Sequence, residues 1–363
     1  MLKKLEAVAA VGFVLGLLLV LGTPSNTERQ PTPAPEIAGG AGTFGLPSAI
    51  SAAASRLRWG LKAIRAPEAW RITQGSEEVI VAIIDSGIDY TVPLLKDRMW
   101  INSDEIPGNG IDDDGNGYVD DVHGWDFRDG DPDSLKGTPI SYHGTFVAGL
   151  VAASVDAATG VGGVAPRVRI MDIRFLDSRG FFYKSDWWKL AQAIEYAVKN
   201  GARIINLSLY ARVDPPSFVR HAIRNAVKHG VLVITIAGNE GSRVKAFGRL
   251  PDVITVGAVD RNRTPAPFSS RGPEVDLAAP GVDVISVVPG GAPVSSSGTS
   301  FAAPHVAGTA ALLWALDKHL SPEGVLEILR STAEDVGPPG KDEVTGFGLV
   351  DAAAAVRLLT QKD

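Results

Sequence analysis
Five short runs, at residues 79–84, 168–175, 203–209, 231–237 and 253–259, are mostly apolar, and 79–84, 231–237 and 253–259 are nearly continuously so. A strand of that kind needs cover on both faces, as in a parallel sheet held between two helical layers. The stretches between the runs carry helix patterning. In residues 186–200, Trp187, Leu190, Ala191, Ile194 and Val198 fall on one face, and Gly201 supplies a stop. Asp214 and Pro215 start a second helical segment whose Val219, Ala222, Ile223, Ala226 and Val227 face inward, and Gly230 ends it. Strands and helices alternating through short connections specify an α/β fold: a doubly wound, mostly parallel sheet flanked by helices. Reactive side chains in such a fold gather beyond the carboxyl ends of the strands.

Composition narrows the choice without naming an activity. Of 363 residues, 45% are apolar and 21% charged, which supports a sizeable core and excludes wholesale disorder. With 40 glycines and 24 prolines, long coiled coils and helical bundles are disfavoured. A net charge of −6 lacks the basic footprint of a nucleic-acid binder, so no nucleic-acid partner is expected. The absence of cysteine rules out disulfides, thiolate metal sites and cysteine nucleophiles.

At the start of the chain, Lys3 and Lys4 precede an apolar run, residues 7–21, broken only by Gly12 and Gly16. Residues 1–22 read as a signal peptide or, if uncleaved, as an N-terminal anchor tethering the protein to a membrane. Both readings make the remainder secreted or extracytoplasmic. Residues 23–55 are rich in Pro, Gly, Ser, Thr and Ala without hydrophobic period, as in a flexible linker or short pro-segment. Residues 56–363 form one globular domain without repeats, expected to be a monomer.

Four segments at predicted strand or helix ends carry reactive groups. Asp85 ends an apolar strand and is followed by Ser86-Gly87-Ile88-Asp89. His143-Gly144-Thr145 opens a segment of small residues suited to a tightly packed helix start, with the imidazole at the edge of a cleft. Ser300, in Gly298-Thr299-Ser300-Phe301-Ala302-Ala303-Pro304-His305, falls at or near a helix N-terminus, where unpaired amides stabilise negative charge. Asn239, in Ala237-Gly238-Asn239-Glu240-Gly241, directly follows a strand. Taken singly, each has an ordinary structural reading: strand-end turn, satisfied histidine, N-cap, Asn-Glu-Gly turn. Together they supply what acyl transfer needs. A serine hydroxyl is a poor nucleophile until a histidine takes its proton, and a carboxylate fixes the histidine's tautomer. A side-chain amide can donate to the developing oxyanion beside the serine's own N–H.

The order Asp, His, Ser and these four blocks resemble the subtilisin-like serine proteases, the subtilases, over residues 59–359. Lesser matches are Trp59-Gly60-Leu61-Lys62-Ala63-Ile64, Ile205-Asn206-Leu207-Ser208-Leu209 and Phe268-Ser269-Ser270-Arg271-Gly272-Pro273. The resemblance implies a three-layer sandwich and a serine endopeptidase acting on protein or peptide substrates. It implies Asp85, His143 and Ser300 as the triad and Asn239 as the oxyanion donor. Two positions depart from the family. Phe146 stands where a second histidine is common. Tyr210 replaces the glycine of a substrate-pairing Ser-Leu-Gly strand, where its bulk crowds or lines the subsites.

Family substrates bind as an added strand between two enzyme edges. One edge is expected at Ser208, Leu209 and Tyr210, the other around Gly180, Phe181 and Phe182, with part of this aromatic stretch either lining an apolar subsite or packing the core. Residues 112–121 are rich in oxygen ligands. Asp112, Asp114, Asn116 and Asp120 take positions 1, 3, 5 and 9 of an EF-hand-like calcium loop, with Gly117 at 6 and the Tyr118 carbonyl at 7. Position 12 is His123, so Asp121 or Asp126 would have to replace the usual Glu; the alternative is a solvated acidic turn. Two rivals remain: a catalytically inactive subtilase-like module that binds in a calcium-dependent way, and a lipase or esterase. The latter lacks its Gly-x-Ser-x-Gly elbow and has a different residue order.

Overall fold
The computed structural model of the protein describes residues 7–8 and 58–361. Apart from Ala7 and Val8, the expected export segment and linker lie outside the described residues. The strands are β1 (Ala7–Val8), β2 (Ile80–Asp85), β3 (Gly124–Asp126), β4 (Arg169–Arg174), β5 (Phe182–Tyr183), β6 (Ile204–Leu207), β7 (Leu232–Ile236), β8 (Ile254–Val259), β9 (Val275–Pro280), β10 (Val284–Val287) and β11 (Pro293–Ser296). The helices are α1 (Trp59–Ala63), α2 (Ala66–Ala69), α3 (Tyr142–Ala152), α4 (Trp187–Lys199), α5 (Ser217–Lys228), α6 (Thr299–Leu316), α7 (Pro322–Thr332) and α8 (Ala352–Thr360).

Seven strands form the central sheet in the order β3-β4-β2-β6-β7-β8-β9, every neighbouring pair parallel. All five apolar runs are strands of this sheet. Their composition follows from cover on both sides. In β2, Val81 and Ile83 join one apolar cluster while Ala82 and Ile84 join the other. In β7, Ile234 and Ile236 face the first and Val233 the second. Helices α3, α6, α7 and α8 pack on the first face, α4 and α5 on the second. The edge strands β3 and β9 have no continuous apolar run, and periodicity missed them.

The two patterned helices form, with local differences. Helix α5 starts at Ser217 behind Pro215 and Pro216 and buries Val219, Ala222, Ile223 and Ala226, with Val227 half-buried. Helix α4 buries Trp187, Leu190, Ala193, Ile194, Tyr196 and Ala197, while Ala191 and Val198 are half-buried. Its buried stripe is wider than one face because α4 packs on both the sheet and α5.

The connections decide where the site lies. From β2 the chain passes to β4 on one side, then returns to β6 on the other, so the strand order reverses between β2 and β6. Crevices at such a switch point open at the carboxyl ends. Asp85 is the last residue of β2, Ser208 follows β6, and Asn239 follows β7. Cavities of about 460 and 610 Å³ open elsewhere, around Leu232 and Ile254 and around Gly201 and Arg203, at the amino ends of the strands.

Helix α6 runs through the first layer and is buried from Thr299 to Trp314. It carries His305, whose Nδ1 lies 2.8 Å from the Phe301 carbonyl. Burial pulls this imidazole from its usual 6.5 down to about 4. Between those values the unfolded chain binds a proton that the folded chain does not. The stability His305 contributes is therefore complete above 6.5 and is lost as pH falls toward 4. The loss is expected to be roughly 3 kcal/mol. Urea melts at pH 7 and pH 4.5, run in a Ser300→Ala background to prevent self-digestion, should show this drop. His305→Gln should flatten that part of the profile; an unchanged acid limb would remove His305 as its cause.

Candidate active site
Asp85 is fully buried, and its carboxylate takes two kinds of donor. The Ser86 N–H donates to Oδ1 at 2.7 Å, and His143 Nδ1 lies 2.8 Å from Oδ1 and 2.9 Å from Oδ2. The carboxylate accepts, so Nδ1 carries the hydrogen and Nε2 is left with its lone pair. His143 is the second residue of α3, and its side chain keeps 13% of its surface exposed. Ser86 clips this helix start to the end of β2: its hydroxyl accepts the Gly144 N–H at 3.0 Å and donates to the Ser141 carbonyl at 3.3 Å. The approach is close enough that a Cβ on Gly144 would sit 2.4 Å from the Gly87 carbonyl oxygen. The small residues after Asp85 and His143 thus bring the two side chains together.

Ser300 lies in the first turn of α6, 7% exposed. The His143 ring packs on Phe301, the next residue, with centroids 5.3 Å apart. Phe146 also packs against Phe301, with centroids 4.5 Å apart. The aromatic ring that departs from the family pattern therefore braces the residue beside the serine. Pro304 stands four residues after Ser300, so the Ser300 carbonyl has no helical N–H to accept. The Ser208 hydroxyl fills the gap at 2.9 Å and in turn accepts from Asn206 Nδ2 at 2.9 Å. Ser208 is 2% exposed. Its side chain faces the helix start. Sequence reasoning placed Ser208 on the substrate edge and missed this bond, although Pro304 at i+4 was a readable signal.

Asn239 holds α6 from the other side. Its Oδ1 accepts the Thr299 N–H and the Thr299 hydroxyl, both at 2.8 Å. Because a backbone N–H must meet an oxygen, these bonds fix the orientation of the amide and turn Nδ2 away from Thr299. The arrangement gathers an imidazole, a hydroxyl and a side-chain amide at the start of α6.

The second expected edge is divided. Gly180 adopts φ +78°, and a Cβ there would come within 4.0 Å of Ser141 Oγ, next to the His143 helix start. Phe181 is half-buried under the Arg179 guanidinium. Phe182 is different: its side chain is fully buried against Phe175 and Trp187, with centroids at 5.1 and 5.0 Å. The structure puts that ring in the core, so it lines no subsite. In β5 the backbone of Phe182 and Tyr183 does pair with an added antiparallel strand, β1. Tyr210 is 7% exposed, and its hydroxyl donates to the Glu240 carboxylate.

The acidic loop folds differently from the EF-hand expectation. Among the described residues, Glu105, Asp114 and Asp121 are the acidic group whose carboxylate oxygens lie within 4.8 Å of one another. Asn116 joins them, its Nδ2 lying 2.9 Å from Asp114 and 3.1 Å from Asp121, as does Asn102 at 3.0 and 2.8 Å. Asp112 instead caps the Asn116 and Gly117 N–H groups, and Asp120 accepts from Asn109 and Gly110. The Tyr118 ring packs against Trp125, Phe127 and Tyr196. His123 Nδ1 faces the Trp100 carbonyl, and Asp126 is buried in an ion pair with Arg174 at 2.9 Å. Of the two expected replacements for position 12, Asp121 reaches the cluster and Asp126 does not. Glu105 escaped sequence reasoning because it precedes the loop by seven residues. Amide N–H groups aimed at several carboxylates mark a place of negative potential, and the donor set of hard oxygens fits Ca²⁺.

With this geometry in place, the comparisons are specific. The model of the Subtilase family matches residues 76–348. Thermitase from Thermoactinomyces vulgaris is 33% identical over 304 residues, covering 84% of this chain and 97% of that protein. The thermophilic serine proteinase of Bacillus sp. (strain AK1) is 39% identical over 246 residues, 68% of this chain. That match spans only 54% of the Bacillus protein's length. A solved structure, the crystal structure of a lanthipeptide protease, aligns with a TM-score of 0.68 at 28% identity, covering 84% of this chain and 94% of the other.

Proposed function
Because the chain belongs to the subtilase family of serine-type endopeptidases, we propose that it cleaves peptide bonds through Asp85, His143 and Ser300, with Asn239 in the oxyanion hole. The observation that carries this reading is the His143 imidazole, bonded through Nδ1 to the buried Asp85 carboxylate and packed against the residue that follows Ser300. His143 Nε2 takes the Ser300 hydroxyl proton as Oγ attacks the scissile carbonyl. Asp85 keeps the productive tautomer and stabilises the imidazolium. Asn239 Nδ2–H and the Ser300 N–H bond the oxygen that becomes anionic. The tetrahedral intermediate collapses as His143 hands its proton to the leaving amine. Water, deprotonated by the same histidine, then releases the acyl group from Ser300.

A fluorophosphonate tests the assignment, because it phosphonylates only an activated serine. One label per chain is expected, with the modified peptide mapping to Ser300. No incorporation into folded protein would support the inactive binding module instead. Casein and ester turnover measured side by side separate an endopeptidase from an esterase.

We further propose that Glu105, Asp114 and Asp121 hold a structural calcium ion. The ion would neutralise clustered charge and brace the loop against Tyr196, whose hydroxyl donates to Asp121 at 2.6 Å. A site filled at 100 times its Kd adds about 2.7 kcal/mol. Chelation should therefore lower Tm by about 4 °C for a domain of this size. Asp121→Asn should remove most of the calcium response. Equal Tm with calcium and with chelator would refute the ion. We also propose export of the protein, on the basis of residues 1–22. Among the described residues no helix is long and apolar enough to cross a membrane.

A further inference from the structure
Two chain segments leave the carboxyl edge side by side: residues 208–211 after β6 and residues 237–241 after β7. Each begins beside the nucleophile, since Ser208 bonds the Ser300 carbonyl and Asn239 bonds Thr299. The space between them adjoins the reacting bond. A substrate whose scissile carbonyl lay between Ser300 Oγ and the Asn239 amide would bring the side chain on that carbonyl's α-carbon toward this space.

In this chain the space is filled. Tyr210 is buried there, its ring edge 3.8 Å from where a Cβ on Gly238 would stand. Its hydroxyl donates to Glu240, and Glu240 also pairs with the Lys245 ammonium. The recess bounded by Leu209, Tyr210, Gly238, Glu240 and Phe247 keeps about 10 Å³, at the lower limit for one water molecule. A leucyl or benzyl side chain needs several times that.

We propose that Tyr210 is a specificity-determining plug, so that the enzyme accepts a small residue, such as glycine, alanine or serine, at the position supplying the scissile carbonyl (P1). This rests on the protease reading and adds the substrate class to it. The clamp also removes an electrostatic alternative. Glu240 is ionised, its carboxyl held below the usual range by Lys245 and Tyr210, but both partners already satisfy that charge. It presents no free anion to a lysyl or arginyl side chain. The phenol stays neutral and donating, its pKa pushed up to about 12 by burial and by Glu240.

The test is kcat/KM on a peptide series differing only at P1, Ala against Phe, for the full-length enzyme and for Tyr210→Gly and Tyr210→Phe. The native protein should favour Ala by about 100-fold or more, the scale on which a pocket rejects extra carbons. Tyr210→Gly should shift the ratio toward Phe by about 100-fold. Tyr210→Phe, which keeps the ring and loses only the bond to Glu240, should retain the preference for Ala. A native ratio within about threefold would mean that the ring swings aside, and it overturns the plug without any variant having to fold. An unchanged ratio in folded Tyr210→Gly overturns it too. If Ser300 takes up the fluorophosphonate in either case, only the plug fails. Neither labelling nor cleavage would overturn the protease reading, and the plug with it.

Discussion
Ser300→Ala is expected to lower kcat by on the order of 10⁶-fold and to abolish fluorophosphonate labelling, with the fold intact. The substitution is clean because the bond that anchors this position uses the backbone: Ser208 donates to the Ser300 carbonyl, which alanine keeps. Alanine is also well suited to the first turn of α6. KM should change little, since the hydroxyl acts on the transition state and contributes little to ground-state binding. The residual rate should remain above that of the uncatalysed reaction, because the amide donors and the bound substrate geometry persist. His143→Ala should cost about as much, and the double variant little more, since the two groups act as one unit. Active-site titration of the purified variants distinguishes a true residual rate from traces of native enzyme. A loss of only tenfold, or losses that multiply in the double variant, would mean that another group supplies the nucleophile.

The parts of this site that were legible in the sequence are those set by local order. A continuous apolar run ending in Asp85 announces both a buried strand and an acid at its carboxyl end. His143 and Ser300 sit among residues small enough for helix starts that must approach another segment. Groups that act across the fold were not legible. Nothing near Ser208 tells that its hydroxyl completes a helix distant in sequence; only Pro304, about a hundred residues later, creates the need. Phe182 and Phe181 are adjacent aromatic residues, and composition cannot say which turns inward. The short β5 and the packing of Trp187 decide it for Phe182. The acidic loop shows the same limit. Alternating carboxylates fit a linear ligand pattern, but turn capping draws Asp112 and Asp120 to backbone N–H groups, and a preceding glutamate takes their place in the cluster.

Asp85→Asn tests the least exposed member of the proposed triad and should reduce kcat by about 10⁴-fold at nearly constant KM. Native Asp85 offers two acceptor oxygens, one shared by the Ser86 N–H and His143 Nδ1, the other facing Nδ1 alone. Asparagine keeps one oxygen. If that oxygen stays on the Ser86 N–H, it has to serve His143 Nδ1 as well, while the new NH₂ at the former Oδ2 stands against Nδ1 as a donor against a donor. The imidazole relieves the conflict by moving its hydrogen to Nε2, where it can no longer accept the serine proton. The geometry survives and the base is lost. Turning the amide the other way restores a partner for Nδ1 but sets NH₂ against the Ser86 N–H, which is buried and has nowhere else to donate. Both orientations cost activity, the first through the tautomer and the second through the Ser86 clip that joins β2 to α3. Kinetics and melting separate them: an unchanged Tm with a large kcat loss identifies the tautomer, while a fall in both identifies the clip. Activity within tenfold of native would mean that neither His143 orientation nor its charge depends on Asp85.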